Sequence, residues 1–180
     1  MSTESIDPRF ANYQRPDALQ QRVAAMSSTG GEFGPQGYRA AIVVGQWHNY
    51  IVDRLLEGAL DALNEAGIDD QKIDLINAPG AYEMPLIVKA LAEQKCYGAV
   101  ITLGAVIKGE TPHFDYVAGE CARGLAEVSR QFNLPVGFGV LTVNTVEQAL
   151  ARAQPGEANK GREAVLAAVH VADLLEKLQR

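Results

Sequence analysis

The sequence predicts a three-layer α/β/α fold built on a four-stranded parallel sheet, and three observations carry that prediction. Short apolar runs rich in β-branched residues alternate along the chain with longer segments whose apolar residues recur at helical spacing. The run at 97–103 is apolar throughout rather than alternating, as expected of a parallel strand covered on both faces. At 180 residues, 47% hydrophobic and 21% charged, the chain has the length of one domain and enough apolar material for a core without staples. Regular alternation of strands and helices implies right-handed crossovers with helices on both faces of the sheet.

The elements follow in order. Residues 1–37 combine Pro8, Pro16, Pro35, Gly30, Gly31, Gly34 and Gly37 with Ser27-Ser28-Thr29, a composition that cannot hold a fold alone. They are expected to form a flexible N-terminal arm, leaving 38–180 as the single α/β domain. Leu19, Val23 and Met26 fall at helical spacing, so a short helix over 17–26 is expected if a neighbouring surface takes that face. The arm is read either as a contact between subunits or as a mobile tail.

Residues 39–44 form the first strand, broken at Gly45. Ile51, Val52, Leu55, Leu56, Ala59, Leu60 and Leu63 then make one helical stripe that ends at Gly67. A second strand is predicted at 72–77, a helix at 84–93, the third strand at 97–103 and a helix at 114–132. The fourth strand spans 136–141. Thr145-x-x-Gln148 has the pattern of a capping box for a short helix to Arg152, and after Gln154-Pro155-Gly156 a last helix covers 160–178. This is a flavodoxin-like arrangement.

Charge and composition exclude several functions. A net charge of −6 with no basic stripe argues against a nucleic-acid partner. Local positive charge at Lys108, Arg152 and Lys160 points instead to a small anionic ligand. Cys96 and Cys121 lack metal-ligand spacing and are expected to be buried reduced thiols. The N-terminus has no basic segment followed by an apolar one, and no stretch approaches about 20 apolar residues, so a cytoplasmic protein without a membrane span is expected.

Chemistry is expected at the carboxyl ends of the strands, where open α/β sheets bind ligands. After Gly104 the chain reads Ala105-Val106-Ile107-Lys108-Gly109-Glu110-Thr111-Pro112-His113. Thr111-Pro112 reads as a helix start, Thr111 as its cap, with the N–H groups of 109–113 free to face an anion. His113, at that junction, is suited to moving protons near neutral pH. His170 lies within the last helix and reads as packing or surface. Trp47 and His48 follow the first strand in a polar segment, where the indole can stack on a planar heterocycle. Pro79-Gly80-Ala81-Tyr82-Glu83 follows the second strand, and small residues there let backbone approach a ligand. Core packing for Trp47, a helix-start carboxylate for Glu83 and solvated helix-end charges for Arg152 and Lys160 are the competing readings.

Together, the stretch 104–117, Pro79-Gly80-Ala81-Tyr82-Glu83-Met84-Pro85, Phe138-Gly139-Val140-Leu141-Thr142 and Asn159-Lys160-Gly161 resemble the lumazine synthases in order and spacing, from about residue 39 to about 175. The resemblance implies condensation of 5-amino-6-(D-ribitylamino)uracil with 3,4-dihydroxy-2-butanone 4-phosphate, without metal or cofactor. It implies that Trp47, Ala81, Tyr82, Glu83, Ala105, Val106 and Ile107 contact the pyrimidine substrate, and that Glu110, Thr111, Arg152 and Lys160 lie at the phosphate, Glu110 through its backbone N–H. His113 would be catalytic. Phe138 would close the site from a neighbouring subunit of a homo-oligomer built from pentamers. The family usually has phenylalanine and asparagine where this chain has Trp47-His48. A non-catalytic flavin or pyrimidine carrier, or a shell-forming protein of the same fold, would have no need of His113, Arg152 and Lys160 together.

Overall fold

The computed structural model describes residues 7–26 and 39–178. The glycine-rich part of the expected arm and both chain ends lie outside that range. Four parallel strands, β1 (Arg39–Gly45), β2 (Ile73–Ala78), β3 (Tyr97–Ile107) and β4 (Val136–Val143), are arranged in the order β2-β1-β3-β4. Helix α1 (Asp17–Ala25) precedes them, and α2 (Asn49–Glu65), α3 (Met84–Glu93), α4 (His113–Phe132), α5 (Val146–Arg152) and α6 (Lys160–Leu178) complete the fold.

The sheet separates two apolar clusters. Ile42, Val44, Ile101 and Leu103 pack with the stripe of α2 and with Val165 and Ala168 of α6. Ala41, Val43, Val100 and Val140 turn to the other face and pack with Val88 of α3 and Cys121 and Leu125 of α4. Alternate residues of each strand thus supply alternate layers, as the pleat requires. The α2–α6 contact is close because Gly161 has no side chain: a Cβ there would lie 2.0 Å from the Leu55 carbonyl oxygen. Asn159, 1% exposed, fixes the same crossing. Its Oδ1 accepts from the N–H groups of Gly161 (2.9 Å) and Arg162 (3.2 Å), while its Nδ2 donates to the carbonyl of Arg54 (3.0 Å).

The expected helix in the arm is present, and a surface of the same chain takes its apolar face. Leu19 and Met26 are buried with Val23 beside them. The phenol of Tyr13 donates to Asp53 of α2 (3.2 Å), Arg15 pairs with Asp53 (2.7 Å), and Arg22 pairs with Asp61 (2.7 Å).

Several local expectations are corrected. β3 runs four residues past the predicted stop at Leu103, because β4 continues to pair with it from Gly104↔Val140 to Ile107↔Val143. β4 likewise runs two residues past the predicted 136–141, to Val143, with Phe138 inside it as those bounds require. Thr111 does not cap α4; Pro112 holds that position without a side-chain hydrogen bond. Thr145 caps α5 by accepting from the Gln148 N–H (3.2 Å), but the Gln148 side chain accepts from Asn144 (2.9 Å), one residue before the position a capping box requires. Cys121 is buried, whereas Cys96 is partly exposed; both are free thiols.

Candidate active site

The strand order fixes where a crevice opens. The connection from β1 leads outward to β2, and the chain then crosses back over β1 to β3, so the carboxyl ends of β1 and β3 diverge at a topological switch point. β1 pairs with β3 only as far as Val44↔Leu103. Residues 104–107 therefore pair with β4 on one side and leave their other backbone edge facing the gap beyond Gly45.

A cavity of about 330 Å³ occupies this gap. One wall comes from the turn after β1, with Trp47 and His48, and another from Gly80, Ala81, Tyr82 and Glu83 after β2. The strand end Ala105, Val106 and Ile107 forms the third, and His113, Phe114, Tyr116 and Val117 of α4 form the fourth. Trp47 is 55% exposed and Tyr82 58%, so neither ring is consumed by the core. The bottom is built from missing side chains. Ideal Cβ atoms on Gly45 and Gly104 would each stand 3.2 Å from the terminal methyl of buried Met84. A Cβ on Gly80 would stand 3.1 Å from a Glu83 carboxylate oxygen and 3.3 Å from the Trp47 ring. The absence of that Cβ brings the indole and the carboxylate together over the backbone.

The loop into α4 supplies donors. Among the described residues, the N–H groups of Gly109, Glu110, Thr111 and His113 have no partner within the chain. They lie at the start of a 20-residue helix, where the free N–H groups and the helix dipole favour an anion. Glu110 and Thr111 are exposed next to the cavity and do not line it, and no ion pair joins Glu110 to Lys108 among the described residues.

The expected site residues fall into two groups. Trp47, Ala81, Tyr82, Glu83, Ala105, Val106, Ile107 and His113 share the cavity; beyond Glu110 and Thr111 at its margin, Phe138, Arg152 and Lys160 do not. Arg152, the last residue of α5, donates to its own helix at the carbonyl of Gln148 (3.0 Å), and Lys160 pairs with Glu163 (2.6 Å). Phe138 is 46% exposed on edge strand β4. The separation follows from topology, since the loops after β1, β2 and β3 make the cavity and these three residues belong to the following segments. His170 is on the surface. Tyr116 and Val117 were not expected in the site, although their positions three and four residues after His113 place them on one helical face with it.

A parallel sheet with a switch-point cavity, walled by exposed aromatic rings, bare backbone and a histidine at a helix start, defines a flavodoxin-like α/β protein. The family model for 6,7-dimethyl-8-ribityllumazine synthase matches residues 37–176. The chain belongs to that family, which gives it a role in riboflavin biosynthesis. Among the described residues, no helix is long and apolar enough to cross a membrane, and no cluster of His, Cys, Asp or Glu could hold a metal ion.

Proposed function

We propose that the protein is a 6,7-dimethyl-8-ribityllumazine synthase, a transferase that condenses 5-amino-6-(D-ribitylamino)uracil with 3,4-dihydroxy-2-butanone 4-phosphate. The observation that carries this reading is the convergence of Trp47, the 80–83 turn, the unpaired edge of 105–107 and His113 on one cavity. The pyrimidine stacks on Trp47, and its ring amides pair with the free backbone edge of β3. Glu83 accepts from ligand N–H or hydroxyl groups. The phosphate sits on the free N–H groups before α4.

The amino group of the pyrimidine attacks the ketone carbonyl, water leaves to give an imine, phosphate is eliminated, and the ribityl nitrogen closes the second ring. None of these steps changes oxidation state through an external carrier, so the chemistry calls for no redox cofactor. Holding the two substrates together lowers the barrier by prepaid positional entropy, and His113 moves protons to and from the departing groups. Phe138, Arg152 and Lys160 serve the cavity of a neighbouring copy in a cytoplasmic homo-oligomer built from pentamers, Phe138 covering the pyrimidine and the two cations facing the phosphate. Their surface positions outside the chain's own cavity support this assignment.

The test is formation of the lumazine chromophore from the two purified substrates, with His113→Ala beside the wild type. Loss of His113 is expected to lower turnover by about two to four decades, the usual range for a general acid–base group, with assembly unchanged by native mass. Near-wild-type turnover would remove His113 from the mechanism. Binding of both substrates without turnover in the wild type would favour a pyrimidine or flavin carrier.

A further inference from the structure

His48 carries the chain out of β1 into α2 in a left-handed conformation, φ 57° and ψ 47°, which a residue with a side chain adopts only where its surroundings impose it. Its carbonyl accepts from Ile51 (2.8 Å) and Val52 (3.1 Å), which fixes the backbone. Its ring stands edge-on to Tyr50, with centroids 6.0 Å apart and an interplanar angle of 86°, and Nδ1 lies 3.5 Å from the Tyr50 hydroxyl. Tyr50, 2% exposed, is in turn covered by the N-terminal segment. Phe10 stacks on it with centroids 3.9 Å apart and planes 5° from parallel, and Tyr13 meets it edge-on at 6.3 Å. Arg9 lies over the Phe10 ring at 5.7 Å and pairs with Glu147 of α5 at 2.7 Å.

We propose that Phe10 and Tyr50 are positioning residues, through which the segment 7–15 sets the His48 ring, and with it the Trp47 wall, against the ligand. The segment lies outside the residues matched to the family, whereas Tyr50 and His48 lie within them. Phe10 covers one face of the Tyr50 ring while Tyr13 and His48 meet it edge-on, a geometry aromatic pairs prefer, so the ring is held on several sides at once. Tyr50 lies two residues after His48 and their rings are in edge-on contact, so its tilt reaches the cavity wall directly.

The kinetic part of the test rests on the synthase reading; the spectroscopic part does not. Trp47 is the only tryptophan in the chain, so its emission and its quenching by acrylamide report on this wall alone. In full-length protein, Phe10→Ala and Tyr50→Phe are expected to change Trp47 quenching without ligand. Both should raise the KM for the pyrimidine by about two- to tenfold, the range to which one aromatic contact converts. The kcat and the KM for the butanone phosphate should stay near wild type, and Phe10→Tyr, which keeps the ring, should recover the pyrimidine KM. Lowered melting temperature with unchanged Trp47 quenching and KM would make the segment a stabiliser only and overturn the proposal. A joint decline of kcat and both KM values would do the same, since it marks general loosening. If the wild type shows no turnover, the synthase reading fails while Trp47 quenching still decides the positioning role.

Discussion

Asp74 shows how much one buried carboxylate can hold in this fold. It accepts from the Arg39 guanidinium and from the Tyr97 phenol (2.8 Å), with Arg39 7% and Asp74 3% exposed. Burial and the neighbouring carboxylate raise the Tyr97 phenol above its ordinary pKa, so it stays a donor. Asp74→Ala is expected to cost about 3–5 kcal/mol in denaturant unfolding, because it strands a buried cation instead of removing a pair. A loss typical of a surface ion pair would show that Arg39 finds water. Neither Arg39 nor Asp74 could be paired from the sequence, since they are partners only once β1 and β2 lie side by side. His113 was legible for the opposite reason: its helix start, glycines and strand are all local. Burial also pushes the Cys121 thiol up to about 12, which makes it inert at neutral pH.

The stripe on α2 was readable from periodicity alone, and Gly67, with φ 81°, sits just past its end as expected. The opposite side of the same helix was not readable. Asp53, Glu57 and Asp61 form an acidic ridge at i, i+4 and i+8, and the arm's Arg15 and Arg22 meet it at Asp53 and Asp61. Burial, then Asp53 and Asp61, raise the pKa of Glu57. A carboxyl raised on folding contributes stability that is present below its unfolded pKa and lost as pH rises through its folded pKa. Glu57→Gln should therefore raise the urea midpoint at pH 7, and the advantage over wild type should vanish toward pH 4. An equal gain at both pH values would assign it to packing. The length of β3 escaped the sequence for a related reason: Gly104 reads locally as a stop, but partner β4 extends the strand.

At the scale of the molecule, surfaces remain that the monomer does not use. Phe138 on the edge of the sheet and Leu166, Leu174 and Leu178 along α6 are exposed large apolar groups. The Phe138, Arg152 and Lys160 assignments came from resemblance, because no spacing within one chain can reveal a residue that serves another copy. If the cavity is completed in trans, Phe138→Ala and His113→Ala proteins should each be nearly inactive and regain activity when co-expressed, since some interfaces then pair two intact residues. No recovery at any mixing ratio would put both residues in one subunit. The glycine floor of the cavity bears on the history open to this protein. A side chain at Gly80 would crowd Glu83 and Trp47 in the cavity, whereas one at Gly45 or Gly104 would press on the buried Met84 methyl, so none of the three positions can be trimmed further to gain room. Descendants can narrow their ligand range at the bottom of the crevice in one step, but can widen it only by trimming the rim at Trp47, Tyr82 or Tyr116, so drift toward bulkier ligands must begin where the ligand enters.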